Sequence, residues 1–108
     1  MTGEEIRQWL DNELANFPER ASGQELRIYL TRQTAPLVES DRASLVEALA
    51  VWIQLRSEPR TMLAMKIGAE HHLTELHREV EELLDDVREG AAFLPYYEQW
   101  IVQALEQL

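Results

Sequence analysis

The apolar positions of the chain recur at spacings of three and four residues in six segments, which is the pattern of amphipathic helices. In the first segment, 2–17, they fall on one helical face, at Ile6, Trp9, Leu10, Leu14 and Phe17. Thr2 and Glu5 match a capping box, in which each side chain bonds to a backbone N–H of the first turn. Pro18 is expected to end this helix.

The second helix is predicted to begin with another capping box, formed by Ser22 and Glu25. Its apolar residues are Leu26, Tyr29 and Leu30. Proline lacks a backbone donor and clashes with the preceding turn, so we expect Pro36 to break the helix. Residues 34–40 are therefore predicted to form a bend or a short separate turn.

The third segment, 41–56, differs because it has almost no polar face. Its apolar residues are Leu45, Val46, Ala48, Leu49, Ala50, Val51, Trp52, Ile53 and Leu55. A helix that is apolar on every side is surrounded by other helices. We therefore predict that it is the central element and that Trp52 is the most buried tryptophan.

Three further helices complete the predicted fold. The fourth begins at Ser57, a favourable N-cap, with Pro59 in its first turn. The fifth, about 74–89, has a narrow apolar stripe and ends at Gly90, while the sixth covers about 94–108. No segment alternates like a strand. The pattern predicts a single all-α domain, 1–108, of about six antiparallel helices, arranged as a compact bundle or a short helical stack.

The composition is that of a globular domain. Hydrophobic residues make up 45% of the chain, enough for a core, and there is no cysteine, which excludes disulfides and thiolate metal sites. The longest apolar run, Ala48 to Ile53, is too short to span a bilayer, and the acidic N-terminus shows no signal peptide. We expect a cytoplasmic protein without membrane contact.

The net charge of -10 is unevenly distributed. Residues 1–68 hold ten acidic and eight basic residues, whereas residues 69–108 hold ten acidic and two basic residues. Such a surface repels phosphate, so nucleic acid and anionic membranes are not expected as partners. The acidity either keeps a small protein soluble or attracts a basic partner.

The fifth predicted helix carries most of this acidity. Its carboxylates recur at spacings of three and four, with Arg78 as local compensation. Together with an exposed tyrosine at the start of the sixth helix, they are the candidate partner-binding residues: Glu75, Glu79, Glu82, Asp86, Glu89 and Tyr96. A solvated helix face explains the same carboxylates without any partner.

The histidines are the one cluster with metal-ligand chemistry. His71, His72 and His77 lie within seven residues, but they form neither a His-Glu-x-x-His motif nor a Glu-x-x-His pair. Ser22 and Ser57 stand where helix caps are expected, and no nucleophile elbow or phosphate-binding loop is present. We expect no metal, no cofactor and no catalytic residue.

The second half of the chain, 41–108, resembles HEAT-like helical repeats. The resemblance is carried by residues 57–70 (SEPRTMLAMKIGAE), 73–76 (LTEL) and 80–88 (VEELLDDVR). It implies stacked antiparallel helix pairs that offer a long outer surface to a partner, hence a protein-binding scaffold rather than an enzyme.

Two functions remain open at this stage. The first is a non-enzymatic protein–protein interaction module that binds another chain or itself, with exposed apolar surface on a terminal helix. The second is an acidic inhibitor or immunity-type protein that neutralises a basic toxin or nuclease. A neighbouring gene that encodes a secreted basic toxin would favour the second.

Overall fold

A computed structural model describes residues 1–17 and 22–108, and in this part of the chain every regular element is helical. The α helices are α1 (Gly3–Asn16), α2 (Gly23–Ser40), α3 (Arg42–Gln54), α4 (Glu58–Glu70), α5 (His77–Arg88) and α6 (Glu98–Gln107). Short 3₁₀ turns, Thr74–Leu76 and Pro95–Tyr97, lead into α5 and α6. The all-α prediction is confirmed, while Pro18, the predicted end of the first helix, lies outside the described residues.

The helices pack in two layers. One layer contains α1, α3 and α5, and the other contains α2, α4 and α6. α3 and α5 run parallel, as two ion pairs between them show. Arg42 at the start of α3 pairs with Glu75 just before α5, and Arg56 just after α3 pairs with Asp86 near the end of α5. The short connections make α3–α4 and α5–α6 antiparallel pairs that stack against each other.

The middle pair, α3 and α4, forms the centre of the core. α3 contacts helices of both layers, and Trp52 is only 1% exposed, whereas Trp100 is 37% exposed and Trp9 is half-buried. The prediction that Trp52 is the most buried tryptophan is confirmed. α4 is buried even more extensively, since eight of its 13 residues are buried.

The predicted break at Pro36 is wrong, because α2 continues through it to Ser40. The backbone group that loses its partner is the carbonyl of Arg32, and both Arg32 and Pro36 face solvent, so water can hydrate it. On the opposite side Thr34 is fully buried and Leu37 packs on the core. This packing outweighs the lost hydrogen bond.

The three predicted helix N-caps differ in how many of the expected capping hydrogen bonds they form. The capping box of Thr2 and Glu5 is complete, with both hydrogen bonds at 3.1 Å. Ser22 accepts the bond from the N–H of Glu25, but no return bond forms. Ser57 occupies the N-cap position without a capping bond, and its hydroxyl instead accepts from Arg60 at 3.4 Å.

Among the described residues, no helix combines the length and apolar composition that a membrane span requires.

Candidate functional site

Glu75, the first of the predicted acidic residues, is neutralised from a distant part of the chain. The guanidinium of Arg42, at the start of α3, donates to both carboxylate oxygens of Glu75, at 2.7 and 2.8 Å. These hydrogen bonds lower the pKa of Glu75 to about 2. Glu75 therefore acts first as a structural link between α3 and the turn before α5.

The rest of the predicted stripe is divided between a half-buried flank of α5, with Glu79 and Asp86, and the exposed face of the helix, with Glu82 and Glu89. Asp86 pairs with Arg56 from the end of α3, with an N–O distance of 2.7 Å, and Glu82 pairs with Arg78 at 3.1 Å. Glu79 is half-buried, while Glu89 is exposed. Arg42 and Arg56 thus neutralise part of the acidity of α5 and the turn before it, in addition to Arg78 within that helix. This pairing could not be predicted from residue spacing within α5.

The outermost acidic face of α5 is shifted around the helix from the predicted stripe. Its exposed carboxylates are Glu81, Glu82, Asp85 and Glu89. Of these, Glu81 pairs with His77, and neither Asp85 nor Glu89 forms an ion pair within the described residues. At 100° per residue, Asp85 and Glu89 lie nearly opposite the apolar stripe centred on Val80. Helical geometry alone could therefore have identified Asp85.

The predicted contact residue Tyr96 belongs to a larger exposed patch at the start of α6. We call Leu94, Tyr96 and Trp100 the aromatic surface; they are 59, 51 and 37% exposed. The ring of Tyr96 stacks on Tyr97 with a centroid distance of 4.6 Å and meets Trp100 edge-on at 5.5 Å. Interaction with the Tyr96 hydroxyl, burial and the nearby Glu58 carboxylate raise the pKa of Tyr97, so its phenol stays protonated.

A groove of about 260 Å³ runs between α2 and α6, with α4 as its floor. We call it the α4 groove; its polar lining is formed by Gln24, Arg27, Lys66, Glu70, Trp100, Gln103 and Gln107. Arg27 and Glu70 form an ion pair across it, at 2.7 Å. The ammonium of Lys66 lies 5.8 Å from the ring centroid of Trp100. Nothing in the hydrophobic pattern indicated this site.

The three histidines are not brought together. The hydroxyl of buried Thr34 donates to the carbonyl of Leu30 and lies 2.9 Å from Nε2 of His71, and burial lowers the pKa of His71. The Nδ1 of His72 bonds to the carbonyl of Gln107 at 2.6 Å. His77 pairs with a carboxylate of its own helix. In the part of the chain that the structure describes, no group of three potential ligands has a geometry suited to a metal ion.

No protein-family model matches the chain, and neither the search of curated proteins nor that of solved structures gives a match. Function is therefore inferred from the contacts, charges and exposure of the chain's own residues, and the resemblance to HEAT-like repeats stays a prediction.

Proposed function

We propose that the chain is a non-enzymatic protein-interaction module of the cytoplasm, and that it binds its partner through the aromatic surface. The observation that carries the proposal is the exposure of Leu94, Tyr96 and Trp100 on the last helix and its leading turn. Large aromatic side chains are enriched among residues that dominate binding energy.

The geometry of these rings suits a binding surface. Tyr96 and Trp100 hold each other edge-on, and both contact Tyr97, which is half-buried. A surface that is already ordered loses less side-chain entropy when a partner binds. The stacking of α3–α4 on α5–α6 also supports a scaffold of the helical-stack type, since such stacks present their outer faces to other proteins.

The test is site-specific photo-crosslinking in cells of the source organism. A benzophenone amino acid replaces Tyr96, and a matched control places it at Gln33, an exposed residue of α2. We expect one predominant crosslinked protein, or a crosslinked second copy, from position 96 and not from position 33. Leu94→Ser should abolish that crosslink and weaken binding of the purified partner about tenfold. Equal crosslinking from both positions would contradict the proposal.

A second function is favoured by the outer face of α5, namely an acidic inhibitor or immunity-type protein directed at a basic toxin or nuclease. Asp85 and Glu89 are exposed without an ion pair among the described residues, and the last 40 residues, which contain them, carry most of the net charge. Charge complementarity of this kind steers a basic partner toward the acidic face. A neighbouring gene for a secreted basic toxin, and inhibition of its product by this chain, would distinguish this function from the first.

A further inference from the structure

The α4 groove contains a concentration of positive charge that is unusual for this chain. Lys66 is the single lysine of a protein whose net charge is -10, and it forms no ion pair within the described residues. It extends from the floor of the groove across the face of Trp100. Arg27 also lines the groove, but it is paired with Glu70, the one acidic residue of the lining, so the positive charge that remains is that of Lys66. The local charge is therefore positive although the molecule is strongly negative.

The remaining polar lining consists of primary amides. Gln103 and Gln107 belong to one wall, formed by α6, and Gln24 belongs to the opposite wall, formed by α2. An amide side chain offers both donors and an acceptor, which is the complement of a peptide backbone. An ammonium on a flexible stem binds a carboxylate as a point charge and needs no fixed planar geometry.

We propose that the α4 groove binds a peptide segment of a partner protein, with one Asp or Glu side chain of that segment paired to Lys66. The proposal rests on the proposed interaction function and adds a second contact beside the aromatic surface, with Trp100 at the border of both. The net charge of the chain repels strongly acidic proteins at long range. The segment therefore carries its carboxylate among neutral residues.

The test selects binders from a library of random peptides displayed on phage, at physiological ionic strength. Each recovered peptide is synthesised with its acidic residue and with the matching amide. We expect the recovered peptides to share one acidic position and the amide form to bind about three- to fivefold more weakly, as for a partly exposed ion pair. In Lys66→Gln the two forms should bind equally, because the pairing energy is then absent.

Two controls make the result specific. Arg78→Gln removes the same amount of charge from the exposed face of α5 and should leave both affinities unchanged. Peptide binding should shift the indole N–H resonance of Trp100 and leave those of Trp9 and Trp52 in place, with the resonance assigned through Trp100→Phe.

The proposal is overturned if no peptide is recovered, if the recovered peptides share no acidic residue, or if Lys66→Gln and Arg78→Gln weaken binding equally. These outcomes leave the interaction function standing where Leu94→Ser still abolishes partner crosslinking from position 96. If Leu94→Ser leaves the crosslink intact while the peptides still bind, the result would instead contradict only the proposal that the aromatic surface binds the partner.

Discussion

Trp52 is the largest fully buried side chain among the described residues, and its surroundings also fix the end of α3. Its carbonyl accepts a hydrogen bond of 2.9 Å from the hydroxyl of Thr61, a fully buried residue of α4. The same hydroxyl lies 3.4 Å from the carbonyl of Ile53. Carbonyl groups at the end of a helix lack intrahelical partners, so this threonine satisfies them inside the core.

Replacement of this tryptophan tests whether the α3–α4 contact is the centre of the fold. We expect Trp52→Ala to lower the free energy of unfolding by about 3–5 kcal/mol, because the core cannot fill the cavity that remains. Trp100→Ala is the matched control, with a loss of about 1 kcal/mol expected because its side chain is partly exposed. Denaturant unfolding measures both. A Trp52→Ala protein that melts within a degree or two of the parent would show that α3 is not the central helix.

The ion pair of Glu75 and Arg42 makes stability depend on pH. The pKa of Glu75 is about 2 in the folded chain against an ordinary value of 4.5, so its contribution is present above pH 4.5 and is lost as pH falls toward 2. Since both side chains are partly exposed, that contribution is about 0.2–1 kcal/mol. We expect Glu75→Gln to be less stable than the parent by this amount at neutral pH.

Unfolding of Glu75→Gln and parent across the acidic range checks this expectation. The difference between them should shrink as pH falls from 4.5 to 2. Glu89→Gln serves as the control, because Glu89 forms no ion pair among the described residues and its removal should leave the curve unchanged. A constant difference between Glu75→Gln and the parent at every pH would mean that the carboxylate charge does not stabilise the fold.

At the scale of the helix, the absence of a side chain at Gly68 lets α4 pack closely against Leu76, in the turn before α5. A Cβ atom added there would lie 2.5 Å from Cδ1 of Leu76, which is itself fully buried. We expect Gly68→Ala to lower the free energy of unfolding by about 1–2 kcal/mol, since overpacking costs about 1–3 kcal/mol and alanine recovers up to about 1 kcal/mol of helix propensity. Because Leu76 is fully buried, its side chain has to shift within the packed core to make room for the added methyl group.

Gly23 provides the matched control for this substitution. It lies in the first turn of α2, where an added Cβ would meet no atom within 4 Å. Gly23→Ala should therefore stabilise the protein by about 0.5 kcal/mol through the smaller entropy of the unfolded chain. Thermal melting of the two variants should shift in opposite directions, and a shift in the same direction would exclude close packing as the reason for Gly68.

Sequence periodicity predicts these helices well where packing and local signals agree. The Thr2–Glu5 capping box and the end of α5 at Gly90, whose φ is 76°, follow from local chemistry. Pro36 misleads because the penalty for proline is local, whereas the packing of Leu37 that maintains α2 depends on the tertiary fold. The sequence pattern does not reveal the extensive burial of α4, because small and polar residues are among its buried positions.

The candidate site could be predicted only in part for the same reason. The exposure of Tyr96 and the acidity of α5 follow from composition and spacing. The pairing of Arg42 with Glu75 joins residues that are 33 positions apart, and the α4 groove requires three helices to meet. Such contacts depend on how the layers stack, and no local pattern encodes them.

At the scale of the whole molecule, charge is separated along the stack of helices. α2 contacts α3 and α4, and its outer side presents Arg27 and Arg32, whereas α5 and α6 form the other side of the stack. The last 40 residues, which hold ten acidic and two basic side chains, include both α5 and α6. The negative potential is therefore strongest beside α5, and a basic partner would approach from that side.

Charge reversal on α5 tests whether this potential guides a partner. Asp85→Lys combined with Glu89→Lys should slow association with a basic partner several-fold at low salt. The difference should fade near physiological ionic strength, where the Debye length is about 8 Å. Asp85 and Glu89 suit this test better than the predicted residues Glu75, Glu79 and Glu82. Glu75 is paired with Arg42 and Glu79 is partly buried, so reversing their charge would also change the stability of the fold.

The control makes the same change in net charge elsewhere, with Glu4→Lys and Glu39→Lys, both exposed and outside α5. Stopped-flow association with the basic partner, after melting has shown that both proteins fold, separates three outcomes. Slowing only by the α5 pair identifies the acidic face as the steering surface. Equal slowing by both pairs assigns the effect to total charge, and no slowing by either shows that the acidity of α5 serves solubility alone.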